Sequence, residues 1–309
     1  MLKLVSIIIV TRGIKDYLES CLQSVRRQSH PNFETIVIDN SKTNLFYCAA
    51  LNKGIKQSKG DFILCLNDDV TLDRRFIENA LEGFVINERI GIVSGKIMRC
   101  DGKIIDSTGL FLSPWRTAKE RGYGVKNLGQ FETEGYIFGV NGAVAFYRKE
   151  MLEDIKEGDD YFDADFRIFY EDLDIAWRAQ RMGWRAYYMP QAIAYHIRGG
   201  TVRKVRGINK SYALRYINQD LSSDLIKNRY LVLVKNESFL DFLLHLPWIF
   251  FYDSLVWSYI LFFRFSLIKK FLLNLKYLKS AFKKRKEMAK KQRFWKELLL
   301  RQVPTQRIS

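Results

Sequence analysis

Between residues 5 and 87, short unbroken apolar runs alternate with stretches of helical spacing. Val5–Thr11 (VSIIIVT) is β-branched, and residues 14–28 then set Tyr17, Leu18, Leu22 and Val25 along one helical face. Glu34–Asn40 (ETIVIDN) predicts a second strand, 44–58 a helix, Phe62–Asn67 (FILCLN) a third strand and 73–87 a further helix. Strands that are apolar on both sides, in turn with helices, predict an α/β fold with a mostly parallel central sheet flanked by helices. Open sheets of this kind bind ligands beyond the carboxyl ends of their strands. Thr11 and Arg12, Asp39 and Asn40, and Asn67 to Asp69 stand at three such ends, so they are expected to line one crevice.

Past residue 90 the pattern is less regular and Gly-punctuated up to residue 142. Asn141–Leu152 (NGAVAFYRKEML) predicts a strand followed by a helix. FYEDLDIAWRAQRMGW predicts another helix, stopped by Gly183. RAYYMP and AIAYH read as two short strands, and RGGTVRKVRGINK as a basic loop without periodicity. From Phe239 to Phe282 the chain is dominated by Phe, Leu, Trp and Tyr, interrupted by Asp241, His245, Asp253 and Arg264. The apolar run between Asp253 and Arg264 is shorter than the ~20 residues that span a bilayer. An amphipathic helix or helical hairpin lying in a membrane interface is therefore expected, with an ordinary buried or dimerising helical subdomain as the first alternative and a spanning segment as the second. The division that follows is a catalytic domain over 1–210, a helical connection over 211–238 and a membrane-association region over 239–309.

Composition sharpens this picture at the C-terminal end. From Arg264 onward there are fifteen Lys and Arg against two Glu, so most of the formal net charge of +16 sits in the tail. Lysines following an apolar segment suit anionic headgroups. The tail interleaves aromatics with its charges but matches no nucleic-acid module, so no nucleic-acid partner is expected. A 48% hydrophobic content excludes a disordered chain, and 309 residues allow one large domain or two. The four cysteines form no CxxC pair, which suits a reducing cytosol, and the N-terminal run reads as a strand with no signal peptide.

Three polar clusters carry candidate chemistry. Asn67-Asp68-Asp69 sets like charges side by side where a buried strand surfaces. Either a hard divalent cation sits there, shared with phosphate oxygens, or the stretch is an exposed turn before a helix that Thr71 or Asp73 caps. Glu171, Asp172 and Asp174 open a predicted helix, where the macrodipole alone favours acids. An Asp at that place is also suited to take a proton from an incoming hydroxyl, and Asp172 is the choice; Asp174 points away and is expected to cap or to pair with Arg178. His196 ends an apolar strand, as a structural residue or as a ligand. Motifs for dinucleotide binding, P-loops, zinc proteases and serine hydrolases do not occur.

Taken in order, VSIIIVTRG, QSHPNFETIVIDNSKTN, ALNKGIKQSKGDFILCLNDDV, NGAVAFYRKEM and YEDLDIAWRAQRMGW resemble the blocks of family 2 glycosyltransferases with the nucleotide-diphospho-sugar transferase (GT-A) fold. The closest likeness is to bacterial rhamnosyltransferases. It covers roughly residues 4–200, with more around KNRYLVLVKN (Lys227–Asn236). The resemblance implies that Thr11, Arg12, Asp39, Asn40, Asn67 and Asp68 bind the nucleotide-sugar and that Asp69 and His196 hold Mg²⁺ or Mn²⁺. Asn67 stands where the family's DxD element has its first carboxylate. Asp172 would be the catalytic base, with Glu171 and Gly142 beside the acceptor, and Arg203 or Lys204 in the basic loop would neutralise the departing diphosphate. The activity implied is inverting transfer of a sugar, L-rhamnose from dTDP-L-rhamnose first, to a lipid-linked glycan in cell-surface polysaccharide synthesis. A peripheral or monotopic protein at the cytoplasmic face of the cell membrane is expected, with a homo-oligomer through the C-terminal helices as a further partner. The alternatives are a transferase of the same fold using a UDP-sugar such as UDP-galactofuranose, and a catalytically silent membrane scaffold.

Overall fold

A computed structural model describes residues 3–13, 15–41, 45–198, 214 and 217–302. The first strands and helices fall where the hydrophobic pattern sets them: β1 (Val5–Thr11), α1 (Lys15–Arg26), β2 (Phe33–Asp39), α2 (Tyr47–Gln57), β3 (Phe62–Asn67) and, after β4 (Val70–Leu72), a short strand the pattern does not predict, α3 (Phe76–Val85). Then come β5 (Ile90–Arg99), β6 (Ile105–Ser107), β7 (Leu110–Leu112), β8 (Ala118–Glu120), β9 (Gly135–Ile137), β10 (Val144–Arg148), α4 (Lys149–Ile155), α5 (Glu171–Arg181) and β11 (Arg185–His196). The chain continues in α6 (Gln219–Asn236), α7 (Phe239–Phe263), α8 (Ser266–Asn274) and α9 (Lys276–Gln302).

The main sheet runs β2-β1-β3-β10-β5-β11-β4, with β6 beside β5 and β9 beside β11. β1 pairs in parallel with β2 and β3, and β11 in parallel with β5. Within the expected parallel sheet β10 lies antiparallel between β3 and β5, and the short strands β4, β6 and β9 also run antiparallel to their neighbours. Because β10 reverses, β5 regains the direction of β3. The carboxyl ends of β1, β2, β3, β5 and β11 therefore share one edge with the amino end of β10, and Asn141 and Gly142 join the strand termini there.

Helices cover both faces, which is why every residue of β1 is buried. One apolar cluster joins the sheet to α2, α4 and α5, and takes in Leu231 to Leu233 of α6 and Ala281 and Met288 of α9. The other joins it to α1 and α3. Residues 185–196 form one strand where two were expected. Its register with β5 shifts between Met189 and Ile193, around Pro190, whose missing N–H suits a bulge. The bulge brings the Ala192 carbonyl onto Gly95 of β5, where a Cβ would meet that oxygen at 2.1 Å. Only glycine fits.

The apolar segment after residue 239 also departs from its reading. Asp253 does not break it: α7 is continuous over 25 residues with Pro247 inside, and Asp253 pairs with Arg229 of α6 at 2.6 Å. Among the described residues α7 is the helix long and apolar enough to cross a membrane by length and composition. Phe239, Leu240, Leu244, Phe250, Phe262 and Phe263 are exposed on it. Part of the basic tail turns inward. Lys284 of α9 bonds Asp163 at 2.5 Å and Asp165 at 2.6 Å, and Lys291 reaches the Lys156 carbonyl at 2.6 Å.

Candidate active site

The two adjacent acids after β3 diverge to separate partners, so their repulsion is relieved within the protein. Asp68 accepts from the Thr11 hydroxyl at 2.6 Å and from the Arg12 N–H at 3.4 Å, tying the ends of β1 and β3. Asp69 turns the other way, its Oδ1 3.3 Å from His196 Nε2 at the end of β11. β4, antiparallel to β11, holds the two in register. Asp39 Oδ1 accepts from the Ser41 N–H at 2.8 Å, and the Asn40 N–H reaches the Thr11 carbonyl at 2.8 Å. The buried Asn40 Oδ1 has no hydrogen-bond partner among the described residues. Arg203 and Lys204 lie outside the described residues.

From β3 the contacts continue to the candidate base. The Tyr47 hydroxyl lies 2.8 Å from Asn67 Oδ1 and 3.1 Å from the Gly142 carbonyl. The Gly142 N–H in turn donates to Asp172 Oδ2 at 3.3 Å, and the Leu173 N–H to Asp172 Oδ1 at 2.7 Å. Asp172 thus sits at the amino end of α5, with backbone N–H groups and the helix dipole favouring its charge. Burial pushes its pKa upward against those bonds. Glu171 beside it is buried, with no partner for Oε2 among the described residues. Burial first, and then the Asp172 charge, push Glu171 up to about 8, so near neutral pH it holds a proton and leaves the negative charge to Asp172. Two adjacent carboxyls in unlike surroundings acquire different protonation states. Asp174 points inward and accepts from Arg178 at 2.8 Å, as its helical position predicts.

Several residues of this site stand outside the sequence reading. Buried Asp106 accepts from His196 Nδ1 at 2.9 Å and also pairs with Arg198. It fixes which ring nitrogen faces Asp69, the arrangement that ligating histidines adopt. Burial works to lower the His196 pKa, but its bonds to Asp106 and Asp69 outweigh that and raise it. Glu120 lies near Asp172, accepts from Ser107 and Asn141, and is pushed by burial up to about 7.

The loop entering α5 is strained: Arg167, Phe169 and Tyr170 have φ of 65°, 71° and 69°. Non-glycine residues hold such angles at about 1–3 kcal/mol each only where neighbours impose them. Here Asn228 of α6 does so, its Nδ2 lying 2.8, 2.7 and 2.8 Å from the carbonyls of Phe166, Ile168 and Phe169. Asn228→Ala is expected to lower stability by about 1–3 kcal/mol and kcat by about 10²-fold through misplacement of Asp172, with donor affinity unchanged. A kcat equal to wild type would leave Asn228 with a structural role alone.

A mixed sheet in which β10 interrupts the like-directed β1, β2, β3, β5 and β11, polar strand ends on one edge and a carboxylate at a facing helix terminus define a nucleotide-diphospho-sugar transferase fold. Residues 47–213 match the model of glycosyltransferase-like family 2, and residues 6–46 that of glycosyl transferase family 2. The chain belongs to this family. Poly-β-1,6-N-acetyl-D-glucosamine synthases are among its relatives. That of Staphylococcus epidermidis is 24% identical over 190 residues, 61% of this chain, and that of Staphylococcus aureus strain COL is 23% identical over the same share. The chain spans 42% of the length of these relatives. Solved structures with the same fold include GalNAc-T7 with UDP, GalNAc and Mn²⁺, at a TM-score of 0.54 and 13% identity over 76% of this chain and 48% of that one. Another is the mannosyltransferase PcManGT of Pyrobaculum calidifontis with GDP-Man and Mn²⁺, at 0.50 and 14% over 93% and 85%.

Proposed function

We propose that this protein is an inverting, metal-dependent glycosyltransferase moving a sugar from a nucleoside-diphosphate donor to a hydroxyl of a lipid-linked glycan. The observation that carries the proposal is the Asp172–Gly142–Tyr47–Asn67 contact chain, which joins a buried carboxylate base to the strand end bearing Asp68 and Asp69. Asp172 takes the proton of the acceptor hydroxyl, and the oxygen attacks the anomeric carbon from the side opposite the departing diphosphate. One displacement of this kind inverts the anomeric centre. Glu171, protonated, can donate to an acceptor oxygen without adding charge.

The cation fits the residues present. Asp69 Oδ1 and His196 Nε2 face each other, and Asp106 occupies the other ring nitrogen. No group of three or more His, Cys, Asp or Glu that could hold a metal occurs among the described residues, so a six-coordinate Mg²⁺ or Mn²⁺ would complete its shell with phosphate oxygens and water. Bound there, it supplies charge neutralisation to the leaving group.

The donor proposed first is dTDP-L-rhamnose, on the resemblance at Asn67, and a UDP-sugar is the second candidate, supported by the likeness to GalNAc-T7 with UDP. The exposed apolar surface of α7 supports a seat in the interface of the cytoplasmic leaflet, where a lipid-linked acceptor would be within reach. A panel of nucleotide sugars with Mg²⁺, Mn²⁺ or chelator, read by thermal shift, tests the donor and the cation together. Asp69→Ala is expected to weaken donor binding about tenfold or more when Mn²⁺ is present and to leave metal-free binding unchanged. Equal loss with and without metal would remove Asp69 from ligation.

A further inference from the structure

Beside the catalytic helix lies a cavity of about 210 Å³ with no part in the chemistry above. Its walls come from β8, from Tyr170 immediately before Glu171, and from α6 and α7, through Lys119, Arg229, Tyr230, Tyr252 and Val256. It is smaller than the ~300–1,000 Å³ that enclose whole ligands, and so takes a segment of one. Arg229 is 3% exposed. Its Nε bonds Asp253 at 2.6 Å, its Nη1 lies 3.4 Å from the Arg116 carbonyl and its plane sits 4.5 Å over the Tyr252 ring. Nη2 has no well-aligned hydrogen-bond partner among the described residues, although the Tyr170 side chain also bonds this guanidinium.

A buried guanidinium N–H without a well-aligned acceptor is under-satisfied, so the site favours a ligand that brings an oxygen. The Asp253 carboxylate is taken up by Arg229, and Glu237 by Arg116 at 2.7 Å, which leaves exposed Lys119 to give the rim a positive charge. On the opposite side Val256 and Tyr252 open onto α7, whose neighbouring Phe251 and Leu255 are exposed, so the apolar wall continues out along the helix.

We propose that this cavity binds the phosphate end of a phosphate-bearing amphiphile, with an oxygen on Arg229 Nη2, Lys119 at the rim and the apolar chain laid along α7. This deepens the reading of a lipid-linked acceptor and rests on it: an anchor held beside Tyr170 would present the distal sugar to Asp172.

The test uses the full chain titrated with farnesyl phosphate, farnesol and inorganic phosphate, followed by tryptophan fluorescence. Trp115, stacked 6.4 Å from Tyr252, is the reporter. Farnesyl phosphate is expected to bind saturably, about tenfold or more tighter than farnesol or phosphate alone. Lys119→Glu, an exposed change that spares the fold, is expected to weaken it about tenfold, and Val256→Trp, which fills the cavity, to abolish it. Equal affinity for farnesol would show only partition onto α7, equal affinity for phosphate only an anion site, and wild-type binding by both variants a different location; each overturns the inference. Binding of a nucleotide-sugar with Mn²⁺ is measured on the same samples. If it persists while farnesyl phosphate fails to bind, the cavity inference falls and the glycosyltransferase reading stands; the reverse pattern removes that reading.

Discussion

Asp172→Asn is expected to reduce kcat by about 10²–10⁴-fold, the range over which a positioned general base contributes, while donor affinity stays unchanged. The amide is nearly isosteric and can still accept from the Leu173 N–H, so the entry to α5 keeps its shape. What disappears is the negative charge that, on the proposed mechanism, takes the acceptor proton. Glu171→Gln supplies the contrast. Glu171 is protonated near neutrality because burial and the Asp172 charge hold its pKa at about 8, and a Gln amide imitates a protonated carboxyl. Its loss should therefore be about tenfold or less. The pH profile separates the pair further. A base works deprotonated, and burial raises Asp172, so kcat/KM should fall with decreasing pH along a limb lying above the ordinary carboxylate range. Near-wild-type turnover in Asp172→Asn, or losses of equal size in the two variants, would overturn the assignment of the base.

The edge of the sheet was legible because its information is local. Each of β1, β2 and β3 is an apolar run ending in a polar residue, and strands of one direction gather such ends without further instruction. Helix α5 was legible for the same reason, its apolar face and Gly183 stop lying within a few turns of Asp172. The reversal of β10 was not, since a five-residue buried strand carries no mark of its direction. Asp106 was hidden by distance: it lies 90 positions from His196, within a short strand of the Gly-punctuated region. Asn228 looks like an ordinary polar helix residue until the loop it holds is seen to have left-handed backbone angles. The inward partners of the basic tail were not legible for a related reason, because charge composition is blind to partners. Lys284 and Lys291 turn toward carboxylates and carbonyls of the catalytic fold, so the tail offers fewer free cations to a headgroup layer than its sequence suggests.

That inward charge underlies the largest expected effect on stability. Lys235 of α6 is 2% exposed and lies 2.8 Å from Glu157, 2.6 Å from Asp163 and 3.1 Å from Asp174. Arg178 shares Asp174 Oδ2 with Lys235, and Lys284 takes the other oxygen of Asp163. Deleting one partner from a buried ion network leaves uncompensated charge and costs about 3–5 kcal/mol. Lys235→Met, which keeps most of the side-chain volume, is expected to lose that amount at pH 7 by chemical denaturation. Despite burial, which opposes the charged form, Lys235 and its cationic neighbours hold Asp163 and Asp174 below the ordinary carboxylate range. Depressed carboxyls stabilise the native state above their unfolded pKa, and that contribution is lost as pH falls through the folded value. In Lys235→Met the acids are less depressed and can take protons in the native state. The gap between variant and wild type should accordingly narrow as pH falls from 7 toward 3. Asp174 lies two residues beyond Asp172 on the same helix, so the variant should also lose turnover below its unfolding transition. A stability change under about 1 kcal/mol, or a gap that widens in acid, would mean that Lys235 is not the centre of the network.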